Sequence, residues 1–141
     1  MAIEKALYLL VRQLGMGYVK VKAVISDPPQ RHSKEVELLA DSGAGYLVIP
    51  SSIAEELGLH EFAKKMGLGT IKVTLADKRQ VEAQLTYVHI KLMGREAVPR
   101  AIIFDCPMPL LGAFTLQELG FEIDTVNEVV LESRPFSLGI M

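Results

Sequence analysis

Leu38-Leu39-Ala40-Asp41-Ser42-Gly43-Ala44 is the stretch on which the reading of this chain turns. Three apolar residues run directly into a carboxylate, and a Ser-Gly pair follows that cannot comfortably continue a strand. Asp, Ser and Gly are common turn formers, so an isolated Asp-Ser-Gly reads as a turn. The setting here is different, because a charge at the edge of an apolar run is costly unless it is satisfied. Residues that break local rules in this way are candidates for function. Asp41 is therefore the first candidate site residue.

Outward from that stretch, the chain reads as short β segments. In 17–25, Val19, Val21 and Ala23 alternate with Lys20 and Lys22, the period of a half-buried strand. Asp27-Pro28-Pro29 marks an exposed loop within 26–34, and 35–40 is the second strand. Residues 46–49 form a third, stopped by Pro50. Further on, 70–76 and 81–93 flank a charged hairpin tip, Asp77-Lys78-Arg79, and 97–104, 121–124 and 128–132 complete the strands.

Ser52-Ile53-Ala54-Glu55 and Thr115-Leu116-Gln117-Glu118 both have the capping-box spacing. Each begins a short helix, ending at Leu57-Gly58 and Leu119-Gly120 with glycine as the left-handed cap. Residues 60–66 add a further helical turn before Gly67. An internal echo also appears: Leu38-Leu39 leads through Gly43-Ala44 to a helix ending in Leu-Gly, and Leu110-Leu111 leads through Gly112-Ala113 to another.

Composition bounds what such a chain can do. Its 141 residues suit one domain, and 50% hydrophobic with 23% charged residues supports a substantial core. The net charge is −2 and no run of Lys or Arg occurs, which argues against a nucleic-acid or anionic-membrane surface. The lone Cys106 excludes an intrachain disulfide and fits a reducing, cytoplasmic setting. The apolar run 6–11 is too short for a signal peptide or a membrane span.

Competing chemistry is weak. Ser42, Ser51 and Ser52 have no nucleophile elbow around them, although His60 could be imagined as a base. His32, His60 and His89 lack metal-ligand spacing, so no metal is expected. Gly67-Leu68-Gly69 lacks the rest of a phosphate-binding fingerprint. Cys106 reads as a small buried residue, and Leu7, Leu10, Val11 and Leu14 as a packing stripe.

The Asp41 stretch, the strand ending at Pro50 and the helix ending in Gly58-Leu59 resemble the first half of a retropepsin-like aspartic protease. Leu110-Leu111-Gly112, followed by Thr115 to Asp124, resembles the second half. The resemblance implies a mostly β fold, a closed acid-protease barrel with one or two short helices. It places an N-terminal extension at 1–16, the protease domain at 17–124, and a C-terminal strand and tail at 125–141.

It also implies an aspartic endopeptidase that uses no cofactor and acts on peptides or proteins. In such an enzyme two carboxylates share one proton, one acting as base toward water and the other as acid toward the scissile carbonyl. Five Asp residues are present (27, 41, 77, 105 and 124), and only Asp41 precedes Ser-Gly. A protease would therefore be a twofold homodimer with one Asp41 from each subunit. By the same resemblance, Ser42 and Gly43 belong to the active-site loop, supported by Leu111 and Gly112. Gly43 and Ala44 would border the substrate, and Ala76, Asp77 and Lys78 would lie in the flap that closes over it. Two features depart from the family: the flap tip is charged where glycine is frequent, and only Leu47 and Val48 stand where some members carry a hydroxyl residue. The charged tip favours a rival reading, a peptide-binding or dimerisation module with little or no proteolysis.

Overall fold

The computed structural model describes residues 18–41, 45–75, 77–124, 127 and 129–132. The segments 1–16 and 133–141 therefore lie outside the described residues. Strand β1 (Tyr18–Ser26) and β2 (Ser33–Asp41) form an antiparallel hairpin paired over its whole length, from Ser26 opposite Ser33 to Tyr18 opposite Asp41. Its turn is built by Asp27, whose side-chain Oδ1 accepts from the backbone N–H of His32 at 2.8 Å while Gln30 N–H donates to the Asp27 carbonyl at 2.7 Å.

The remaining elements follow in order: β3 (Leu47–Ile49), α1 (Ser51–Glu56), α2 (Leu59–Lys65), β4 (Thr70–Thr74), β5 (Gln80–Tyr87), β6 (His89–Leu92), β7 (Arg95–Ala97), β8 (Arg100–Ile103), β9 (Leu110–Leu111), α3 (Ala113–Leu119), β10 (Phe121–Asp124) and β11 (Val129–Glu132). Nine strands form one sheet in the order β4-β5-β8-β3-β9-β2-β1-β6-β7, and β10 pairs with β11 in a separate ribbon. The expectation of a mostly β chain holds. The sheet order is linear, however, and among the described residues its edges β4 and β7 do not pair, so no closed barrel is formed by these strands. Three short helices occur among the described residues rather than one or two.

Both helices expected to start at a capping box start elsewhere. For α1 the cap residue is Pro50, whose carbonyl accepts from Ala54 N–H at 2.9 Å, so Ser52 lies inside the helix. Helix α3 begins after Gly112, and Thr115, 1% exposed, is packed into its first turn. At α3 tertiary packing overrides the local capping signal, whereas at α1 the helix simply starts directly after Pro50, leaving Ser52 exposed in its first turn. The stops are as expected, with Gly58 and Gly120 at φ +66° and +76°. The long segment 81–93 divides at Val88 into β5 and β6, because its first half pairs with β8 and its second with β1 and β7.

The sheet has two unlike faces, as the period-two alternation requires. Val36, Leu38 and Ala40 of β2, Leu47 and Ile49 of β3, and Ala101 and Ile103 of β8 enter the main core, which the helices also line. The intervening residues Val48 and Ile102 join a smaller cluster with Ala83 and Cys106 on the opposite face. Its flanking members Tyr46, Ile71, Val73, Leu85 and Leu110 are only partly buried.

Arg95 ties α3 and the β10–β11 ribbon to the sheet. It is 7% exposed, and its Nη1 donates to the carbonyls of Leu119 and Gly120 at 2.8 and 3.2 Å, satisfying the C-terminus of α3. Its Nη2 lies 3.1 Å from a Glu132 carboxylate oxygen on β11, and its guanidinium sits 4.8 Å from the Phe121 ring centre. Replacing it strands buried acceptors and removes the link between α3 and the ribbon. Arg95→Met is expected to lower stability by about 2–4 kcal/mol. Urea unfolding followed by circular dichroism measures this, and Arg95→Lys, lacking the planar fork, should recover only part of the loss.

Candidate active site

Asp41 is the last residue of β2 and is 2% exposed. It reaches this position because β2 changes character along its length. Residues 33–37 alternate between exposed and more buried positions, whereas Leu38 to Asp41 are all buried, with β1 on one side and β9 on the other. Strand β9 runs parallel to β2, with Leu39 opposite Leu110 and Ala40 opposite Leu111. Leu39 N–H donates to the Pro109 carbonyl at 2.9 Å, which fixes the entry to β9.

Continuing that register by one residue sets Asp41 level with Gly112. Strand β3 is antiparallel to β9 with Val48 opposite Leu110, which sets Tyr46 level with Gly112 as well. The close approach is severe. A Cβ on Gly112 would lie 2.5 Å from the carbonyl oxygens of Gly45 and Tyr46. The Gly45 carbonyl in turn accepts from Phe114 N–H at 3.1 Å, joining the segment after the Asp41 turn to the first turn of α3.

The candidate residues thus separate into groups. Asp41, Leu111 and Gly112 are brought side by side, Leu111 fully buried beside Ala40. Ser42, Gly43 and Ala44 lie outside the described residues, as does Ala76. Asp77 and Lys78 are exposed at the tip of the β4–β5 hairpin, which forms the far edge of the sheet with three strands between β5 and β2. Sequence reasoning missed Gly45 and Pro109, whose carbonyls bind Phe114 and Leu39. Gly45, adjoining the Asp-Ser-Gly-Ala stretch, was the available signal.

The hairpin tip is a tight, polar turn. Lys78 N–H donates to the Leu75 carbonyl at 2.9 Å and Leu75 N–H to that of Arg79 at 2.8 Å, with Lys78 at φ +68°. Arg79 N–H donates to Asp77 Oδ1 at 3.1 Å and its Nε to Oδ2 at 2.6 Å. The Arg79 backbone N–H, with its guanidinium adding to it, holds the Asp77 carboxyl below its ordinary range.

The other aspartates have local employment. Asp27 closes the β1–β2 turn, and Asp124 accepts from Asn127 N–H at 3.1 Å and from its Nδ2 at 2.7 Å. Asp105 is exposed. Among the described residues, Asp41 is the aspartate held at the end of a central, fully buried strand segment.

Residues 21–127 match the family model described as aspartyl protease. Among solved structures, the chain is similar to EIAV protease complexed with the inhibitor HBY-793, at 24% identity and a TM-score of 0.55. That match covers 73% of this chain and 88% of the other, and the likeness is one of fold. No curated protein matches the sequence.

Two outcomes follow from this geometry. Gly112→Ala should destabilise by at least about 2 kcal/mol, since backbone rather than a flexible side chain occupies the Cβ position, and urea denaturation reads the loss. For Asp77, the folded-state value is depressed, so its contribution is present at neutral and weakly acidic pH and is lost as pH falls through that lowered value. The Arg79 amide resonance should therefore hold its folded shift in weak acid and move only in stronger acid. In Asp77→Asn that acid-dependent movement should vanish.

Proposed function

The chain belongs to the aspartyl protease family, and from that premise we propose that it hydrolyses peptide bonds as a twofold homodimer in which Asp41 of each subunit forms a carboxylate pair. The observation that carries this reading is the place of Asp41, buried at the end of β2 and level with Gly112 of the second Leu-Leu-Gly segment. A single chain supplies one such aspartate, and the others described are exposed or committed to turns. Two copies are needed for an acid and a base.

In the proposed reaction the pair shares one proton, because two adjacent carboxylates cannot both ionise cheaply. The ionised member takes a proton from water as it attacks the scissile carbonyl. The protonated member gives its proton to the carbonyl oxygen, and collapse of the tetrahedral intermediate expels the amine. The substrate-side surface is the face of the sheet that carries the smaller apolar cluster. Asp41 has the same sheet parity as Leu39, Leu110, Val48 and Ile102, so its side chain belongs to that face. Tyr46, Ile71, Val73, Leu85 and Leu110 leave it incompletely covered, which suits apolar side chains of an extended peptide.

In this reading Ser42, Gly43 and Ala44 form the loop beside the scissile bond. The β4–β5 hairpin, with Ala76, Asp77 and Lys78 at its tip, folds over the peptide, and the protease unit spans 17–124 between two flanking segments. The charged tip favours the second reading, a peptide-binding or dimerisation module with little or no protease activity.

Asp41→Asn should lower kcat/KM on a peptide library at least about 100-fold between pH 3 and 7, since it removes both members of the pair and the loss of a single acid–base group already costs that much, with the fold retained by circular dichroism. Undetectable Asp41-dependent cleavage by the unaltered protein would sink the enzyme reading. Peptide binding that persists in both proteins would then select the binding module. Specific activity should also fall on dilution as dimers dissociate, and analytical ultracentrifugation over the same concentrations supplies the dimer fraction.

A further inference from the structure

We infer that Tyr46, Arg100 and Phe114 form a recognition site for an acidic residue of the bound peptide, about four residues from the scissile bond; this rests on the protease reading of the groove. The placement follows from strand register. Asp41 is level with Gly112, and Gly112 with Tyr46. Strand β3 is parallel to β8 with Leu47 opposite Ala101, so one step earlier sets Tyr46 level with Arg100. Asp41, Gly112, Tyr46 and Arg100 therefore form a row across four neighbouring strands, all on the face that carries Asp41. Three strand spacings amount to roughly 14 Å, which an extended peptide covers in about four residues.

The side chains along the row are arranged for recognition rather than for the core. Phe114, beside the row, is 60% exposed although it stands in the first turn of α3 with its backbone N–H donating to the Gly45 carbonyl. Its ring meets Tyr46 edge-on, with centres 5.8 Å apart and planes at 86°. The Arg100 guanidinium lies 5.8 Å from the Tyr46 ring centre, and among the described residues it forms no ion pair. A guanidinium laid on an aromatic face keeps its planar donors outward and matches a carboxylate. The exposed Phe114 edge supplies apolar contact to the methylenes of a Glu side chain. Charge complementarity thus selects an acidic peptide residue over the other occupants of such a patch.

The test uses three fluorescein-labelled apolar decapeptides that differ only in a Glu, Gln or Lys four residues from the centre. Their Kd values are measured by anisotropy on Asp41→Asn, so binding is read without cleavage. The Glu peptide is expected to bind about fivefold tighter than the Lys peptide, the scale of one partly exposed ion pair. Adding Arg100→Gln should abolish the preference, and Arg100→Glu should reverse it. In the unaltered protein the same preference should appear in KM rather than kcat, since the contact is remote from the reacting bond. Equal Kd values for the three peptides in all variants would overturn the proposal. So would conversion of dimer to monomer by Phe114→Ser, which would make this face a contact between copies of the chain. Absence of cleavage alone would count against the protease reading and leave the Kd comparison decisive for this site.

Discussion

The rest of the structure depends on one steric constraint, the passage of the Gly112 backbone against the carbonyls of Gly45 and Tyr46. No side chain can stand at that crossing. It fixes β9 between β2 and β3, although β9 is only two residues long and could not hold a place in a sheet through its own pairing. With β9 fixed, Asp41 is confined between two neighbours and α3 must begin at Ala113. The helix start, the buried carboxylate and the order of the central strands are thus consequences of one missing Cβ.

The sheet carries two apolar layers of unequal size. Helices cover one face and complete the main core. On the other face the β4–β5 hairpin edge covers part of the smaller cluster and leaves several apolar residues half-buried. That half-buried apolar surface lies on the same face as the buried Asp41 carboxylate.

The elements were legible where they rest on local chemistry. Alternation of Val19, Val21 and Ala23 with lysines announced β1, and Leu-Gly endings announced the stops of α1 and α3. The echo of Leu38-Leu39 and Leu110-Leu111 found the two segments that lie side by side. The start of α3 was misread because Gly112 is set by a tertiary close approach that a capping-box spacing does not register, and the start of α1 because the helix begins directly after Pro50 instead of at Ser52. Asp41 stood out because it broke a local rule. Gly45, Arg95 and the row from Asp41 to Arg100 did not, since they exist only once β2, β9, β3 and β8 are in register. Closure of the barrel was an expectation from resemblance, and the linear strand order does not contain it.

Arg95 has one more consequence. Among the described residues the linear sheet has two rims, and a rim of unpaired backbone groups can template the chain of another molecule into a growing stack. At one rim β4 presents Thr70, Lys72 and Thr74 to solvent. At the other, β7 is only three residues long and begins with a guanidinium turned inward to the end of α3. A strand annealing along that rim would meet a very short ladder anchored by a charge already committed elsewhere. The residue that fastens the C-terminal ribbon therefore also opens the short strand at that rim.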